Sequence, residues 1–188
     1  RQMALCPHLA EEVGAGVSRA DRLLVLTHEM SRRVQAALGV DAGKIEVVGA
    51  GYRDDLFDAR GARTINPQAI LYVGKYSRAK GLPWLLDAFE RVAAREGRAV
   101  LHVAGGGAGA EADALRERME RLAPRVVLHG HLDQPELAEL MQRCRLLVLP
   151  SFYEGLPLVL VEAVASGLSA IGTDLPAVRE DVAPPLGD

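Results

Sequence analysis

Cysteine is almost absent from this chain. Among 188 residues there are two, Cys6 and Cys144, far apart and in no metal-ligand spacing. That excludes a disulfide framework and a cysteine-based zinc cluster, and fits the reduced thiols of a cytoplasmic protein. A basic surplus is lacking as well: 22 Lys and Arg stand against 25 Asp and Glu, for a net charge of −3. Nucleic acid is therefore not an expected partner. No apolar run approaches the roughly 18 residues of a membrane span. The most apolar stretch, 156–165, is broken by Pro157 and Glu162. No charged-then-apolar leader opens the sequence, and residue 1 is arginine, so a piece of a longer chain is expected. No Asp-x-Asp metal clamp is present, and no Ser-His-Asp or Cys-His arrangement is readable. What remains is an ordinary globular balance, 49% hydrophobic and 25% charged, with length for one full domain or one domain and part of another.

Within that balance, short β-rich runs alternate with helical patterns. The runs are Leu23–Leu26, Ile45–Val48, Ile70–Val73, Val100–Val103, Val126–Leu128, Leu146–Leu149 and Ser169–Ile171. Each is apolar on consecutive residues, as expected of strands covered on both faces. Between them, 81–96, 111–122 and 134–143 keep apolar stripes at helical spacing. Leu82, Leu85, Leu86 and Phe89 mark the first, Ala112, Leu115 and Met119 the second, and Leu137, Leu140 and Met141 the third. A βα series of this kind from 70 to 171 predicts an α/β fold, a doubly wound, Rossmann-like parallel sheet. Residues 1–50 show one helix, about 29–38, between two strands, with Thr27 as its N-cap. They read as the tail of a preceding domain. The Gly- and charge-rich 51–66 reads as a linker, and 67–188 as most of a second domain.

Ligands of open parallel sheets bind at the carboxyl ends of the strands, which directs attention to loops 74–80, 104–110, 129–133, 150–157 and 172–176. In "PSFYEGLP", 150–157, Pro157 fits the first helical position, and the N–H groups at the helix start form an anion site. Glu154 stands on its rim. Glu162 lies within the helix on the side facing sheet or cleft. There it can accept two hydrogen bonds from a vicinal diol such as a ribose, or pair with an arginine at the domain edge. The loop "VGKYSRAKG" offers Lys75, Arg78 and Lys80, cations suited to a diphosphate or to a solvated turn. Gly105, Gly107 and Ala110 formally match a dinucleotide-binding turn, but the next strand lacks the acid that should follow. These glycines instead let the backbone approach a ligand or a neighbouring loop. "HGH", 129–131, has no third metal ligand nearby; its histidines read as satisfied or solvent-exposed, or, with a nucleotide at this edge, His131 would lie against the base. Glu111 and Asp113 read as a dipole-favouring first turn. Arg116, Arg118, Arg121 and Arg125 read as a solvated face, with anionic lipid as the alternative.

These motifs, in this order, resemble the retaining GT-B glycosyltransferases of the "glycosyl transferases group 1", or family-4, class. The resemblance is carried by "ADRLLVLTHEMSRRV", "KIEVVGAGYRDDLF", "ILYVGKYSRAKGLPWLLDAF", "LHVAGGG", "VVLHGHL" and "LLVLPSFYEGLPLVLVEAVASGLSAIGTDLPAVRE", the last holding an E-x7-E pair, Glu154 and Glu162. It implies a cytoplasmic enzyme, or one peripheral to the inner face of the membrane, that moves a sugar from a nucleotide-sugar to an acceptor with retention. The acceptor would be a glycan, a lipid-linked glycan or a small molecule. The nucleotide-sugar is a substrate, and no cofactor or metal is implied. Glu162 would hold the ribose. Glu154 would contact the donor sugar. Gly155, Leu156 and the N–H groups of Leu158 and Val159 would line the phosphate site, and Lys75 and Lys80, with Arg78 sharing, would neutralise the leaving diphosphate. His131 would sit by the base, and the acceptor would lie mostly on an N-terminal domain. Two positions depart from the pattern, Lys75 where the family usually has Arg and Pro157 where it often has Gly. A fragment of this extent is expected to bind donor without turnover. The alternatives are a nicotinamide-dependent oxidoreductase domain, a non-catalytic nucleotide- or partner-binding domain, and a nucleotide-sugar epimerase.

Overall fold

The computed structural model describes residues 7–60 and 64–182. Cys6 and the last six residues of the expected second domain lie outside them. Helix α1 spans Pro7–Arg19, β1 Leu23–Val25, α2 His28–Leu38 and β2 Ile45–Val47. β1 and β2 form a two-stranded parallel sheet. α1 has no counterpart in the sequence reading. Gly14 and Gly16 dilute its periodic signal and lower its intrinsic propensity. α2 starts as expected: the Thr27 hydroxyl accepts the Met30 N–H, and Gly39 closes the helix at φ 63°, a backbone region that favours glycine.

The second sheet contains β3 (Ala69–Val73), β4 (Val100–Ala104), β5 (Val126–Gly130), β6 (Leu146–Leu149) and β7 (Ser169–Gly172). The helices between them are α3 (Leu82–Arg95), α4 (Ala110–Arg121), α5 (Gln134–Arg143) and α6 (Leu158–Ala165). All pairings are parallel, in the order β5-β4-β3-β6-β7. The pleat divides the core between the two faces. Tyr72, Leu101, Val103 and Val126 pack under α3 and α4 with Leu82, Leu86, Phe89 and Met119. Ala69, Leu71 and Leu147 pack under α5 and α6 with Leu140, Met141 and Leu160. β7 differs from the expected doubly covered strand, since all four of its residues are exposed.

Two features correct the reading of the connecting segments. Phe57, in the stretch read as a linker, is 1% exposed and belongs to the α5–α6 core, so that stretch is anchored by a large buried ring. Arg118 is not a solvated charge: it donates to Asp87 and Glu90 of α3, each at 2.6 Å, and ties α4 to α3. The first part of the chain is tied to the second through α2. The His28 ring meets Asp181 at 2.7 Å and Arg32 meets Glu180 at 2.8 Å.

Candidate functional site

The strand order reverses between β3 and β6: from β3 the chain first builds outward to β4 and β5, then returns to β6 and β7. The loops that follow β3 and β6 therefore leave in opposite directions and open a crevice at the carboxyl edge, where such sheets bind ligands. The loop after β3 is pinned along its length. Gly74 N–H donates to the Ala104 carbonyl and Tyr76 N–H to the Gly106 carbonyl, both at 3.0 Å. Arg78 N–H donates to Glu111 Oε1 at 2.9 Å, and the buried Tyr72 hydroxyl donates to the Lys75 carbonyl at 2.7 Å. Burial, with the charge of Glu154, raises the Tyr72 pKa far above the ordinary phenol value, so the hydroxyl stays a donor.

Two glycines make the close packing of these loops possible. A Cβ on Gly105, at φ 121°, would stand 2.1 Å from the Gly74 carbonyl oxygen, and one on Gly81, at φ 72°, would stand 2.0 Å from that of Pro150. Of the two uses weighed for the 104–110 glycines, Gly105 serves the approach of a neighbouring loop. Where β3, β4 and β5 end, this packing leaves a cavity of about 740 Å3. Its wall includes Lys75, Ser77, Gly105, Gly106, Gly107, Glu111, His131, Leu132 and Leu137.

Across the crevice, on the β6 side, Lys80 Nζ donates to Glu154 Oε1 at 2.7 Å, with the Glu154 side chain 11% exposed. Glu162 sits in α6 at 8% exposure and finds no hydrogen-bond or ion-pair partner among the described residues. The arginine weighed as its partner is not there. Burial alone raises its pKa, because desolvation disfavours the ionised form.

The structure thus brings Lys75 and His131 into one cavity and Lys80 onto Glu154, and leaves Glu162 alone. Three placements differ from the sequence reading. The Arg78 guanidinium lies over the Trp84 ring, 5.0 Å from its centroid. Pro157 is the N-cap of α6 and not its first helical residue. The Leu158 N–H donates to the Leu156 carbonyl at 3.0 Å, so in this conformation it is not an open anion donor. Leu156 and Val159 are half-buried beside it, and a Cβ on Gly155 would meet the Met30 side chain of α2 at 3.3 Å.

Sequence reasoning missed Glu111 as a cavity wall, Tyr72 as the brace of the Lys75 loop, and a pairing of His102 with His129. The two histidine rings stand 2.9 Å apart, nitrogen to nitrogen, on the α5 face of the sheet. Burial, and then neighbouring positive charge, lowers the pKa of both. Only the period-2 alternation of β4 carried a signal, since it places His102 on the face opposite Leu101 and Val103. Among the described residues no group of three or more His, Cys, Asp or Glu side chains is placed to hold a metal ion. Among them too, no helix is long and apolar enough to cross a membrane.

Residues 67–184 match the family described as "Glycosyl transferases group 1". The chain is 30% identical over 168 residues to a glycogen synthase of Mycobacterium tuberculosis, covering 88% of this chain and 40% of that protein. It is 32% identical over 183 residues to a D-inositol 3-phosphate glycosyltransferase of Mycobacterium bovis, covering 88% of this chain and 37% of that protein. It therefore spans about two fifths of the length of these curated relatives. A solved structure of the pneumococcal O-GlcNAc transferase in complex with UDP and GlcNAc superposes with a TM-score of 0.72 at 24% identity, over 87% of this chain and 32% of that one. That likeness shows the fold, the C-terminal Rossmann-like half of a GT-B protein.

Proposed function

The chain belongs to the glycosyl transferases group 1, and from that premise we propose that it forms the donor half of a retaining glycosyltransferase, with residues 67–182 holding a nucleoside-diphosphate sugar. The observation that carries this reading is Glu162, a carboxylate 8% exposed and without a partner among the described residues, in the helix that follows β6, one of the two strands at the switch point. A buried unpaired carboxylate is costly to keep. A ribose diol supplies two hydroxyl donors and would satisfy it.

The other roles follow from placement. The base enters the cavity beside His131, Leu132 and Leu137. The diphosphate spans the crevice between Lys75 and Lys80, whose charges stabilise it as it leaves; that contribution is largest where developing charge meets preorganised charge away from water. Because Lys80 already holds Glu154 at 2.7 Å, a bound diphosphate competes for the same ammonium. Glu154 is then released toward the sugar hydroxyls, so donor binding and sugar recognition are coupled through one lysine. Val159 and Gly155 offer backbone N–H groups at the start of α6, and the Leu158 N–H joins them only if its bond to Leu156 opens. Arg78 contributes at the rim and not to the diphosphate. The acceptor meets this half from the α2 side, where Met30 and Arg33 approach Gly155 and Tyr153. A glycan acceptor fits the glycogen synthase relative, and a small phosphorylated polyol fits the inositol phosphate one. A cytoplasmic location is part of the same proposal, supported by the scarcity and wide separation of the two cysteines.

The test is calorimetric titration of the chain with UDP, GDP, ADP and CMP. One diphosphate is expected to bind, and Glu162→Gln to lose it. Binding to none of them by a folded sample overturns the reading.

A further inference from the structure

The chain has eight aromatic residues, three Phe, four Tyr and one Trp. Phe57, Tyr72, Tyr76 and Phe89 are buried. Of the four exposed ones, Trp84 and Phe152 meet each other, 43% and 59% exposed, and Tyr153 follows next in the chain, 60% exposed, with Arg33 over its ring. A chain that leaves three of its eight aromatics exposed at or beside one contact calls for a ligand there. The geometry is that of a built corner. Trp84 and Phe152 meet with centroids 4.8 Å apart and planes at 68°, so one ring offers a flat floor and the other a wall. The corner is held from both sides. Phe152 N–H donates to the Ala79 carbonyl at 3.0 Å, and Arg78 lies over the indole, 5.0 Å from its centroid. Beyond Arg78 opens a second cavity of about 300 Å3, walled by Arg78, Pro83, Glu111, Arg118 and Arg121. Arg78 and Glu111 adjoin the donor side as well, Glu111 lining both cavities.

We propose that the Trp84–Phe152 corner is a second carbohydrate subsite, distinct from the donor site, which takes a gluco-configured hexopyranose of an oligosaccharide. With all hydroxyls equatorial, such a ring presents faces of bare C–H bonds. These lie on an aromatic face, whose quadrupole is negative there, while the edge of a second ring closes the side. The ring-edge hydroxyls then need hydrogen-bond partners within reach. Arg78 supplies N–H donors, and Glu111 beyond it supplies an acceptor. An aromatic pair with a cavity and a few polar groups beside it offers what small-ligand recognition uses. Since Phe152 is two residues from Glu154, a sugar chain held here lies one loop from the transferred sugar. This role as an acceptor or product subsite rests on the glycosyltransferase reading, whereas carbohydrate binding at the corner does not.

Trp84 is the sole tryptophan, so intrinsic fluorescence reports the corner directly. The chain is titrated with maltoheptaose and with cellopentaose, two linkages of the same sugar. A saturable change in the Trp84 emission is expected with at least one of them. Phe152→Ala, at an exposed position that leaves the core intact, should weaken that binding about tenfold, with circular dichroism confirming the fold. Glu162→Gln should bind the oligosaccharide as wild type does while losing the nucleotide. No emission change with either oligosaccharide through tens of millimolar overturns the proposal, and so does a change that Phe152→Ala leaves untouched. Failure of the nucleotide to bind wild type, with oligosaccharide binding intact, would instead remove the donor-site reading and leave this one standing.

Discussion

The two sides of the crevice are built on different physics. On the β3–β4–β5 side the site is a shape. Backbone hydrogen bonds from Gly74 and Tyr76, together with the Cβ-free contact of Gly105 with Gly74, hold a cavity open with few charges on its wall. On the β6 side the site is a set of charges: Lys80 on Glu154, and Glu162 buried without a counterion. The first side is rigid whether or not a ligand is present, because backbone pairing fixes it. The second is electrostatically unfinished, and a ligand that brings hydroxyls and negative charge completes it. In the function proposed above, a nucleotide-sugar brings a flat base to the first and a diol and diphosphate to the second.

The strongest way to break this contrast is on the shape side. Gly105→Val forces a Cβ onto the Gly74 oxygen at a positive φ. It should cost about 2–4 kcal/mol of stability in urea unfolding and abolish nucleotide binding with it. If the variant folds with wild-type stability, the cavity is not fixed by that contact.

On the charge side, the two properties should separate. Glu162→Gln is expected to weaken binding of the preferred diphosphate about 10- to 100-fold, the loss of hydrogen bonds to a charged acceptor. The same change should raise the stability of the unliganded chain by about 0.5–1 kcal/mol at pH 7. The sign follows from burial. The folded-state pKa of Glu162 is raised, so the folded chain holds this proton more tightly than the unfolded one. Its contribution is most favourable below the unfolded pKa and is lost as pH rises through the folded value. Glutamine removes that penalty, and thermal melts at pH 5 and pH 7 should show a smaller pH dependence in the variant. A variant less stable at pH 7 would mean that Glu162 already has a partner.

Lys80→Ala leaves Glu154 largely buried and unpaired. About 1–2 kcal/mol of stability should go with it, less than for a fully buried pair because the lysine is partly solvated. Diphosphate affinity should fall and become less sensitive to salt. Tyr72→Phe removes only the bond to the Lys75 carbonyl. About 1 kcal/mol is expected, with nucleotide affinity reduced more than sugar discrimination.

The smallest effect is at the His102–His129 pair, which lies in β4 and β5 but lines neither the cavity nor the charged cluster. Both pKa values are lowered by burial, so the stability these residues contribute is fully present above the unfolded value near pH 6.5. It fades as pH falls through the folded values. His102→Asn should flatten the loss of stability between pH 7 and pH 5 without changing nucleotide binding at pH 7.

Much of the five-stranded sheet and its helices was legible because strands and helices write their period into the chain. The stripe Leu82, Leu85, Leu86, Phe89 names the buried face of α3. The loops that carry charge were legible for the same reason, since each follows an apolar run. Helix α1 was not, because two glycines interrupt its pattern. Phe57 was not, because one aromatic in a polar stretch carries no period.

Sequence by itself determined the α/β alternation, the set of loops that reach the carboxyl edge, and the presence there of two carboxylates and three cations. Those are local facts, fixed by spacing along the chain. Only the tertiary structure decided which charges meet. Lys80 pairs with a glutamate 74 residues away, Arg78 turns to Trp84, and Glu162 is left alone. Such pairings depend on the reversal of strand order between β3 and β6, which sets distances across the crevice that no local pattern records.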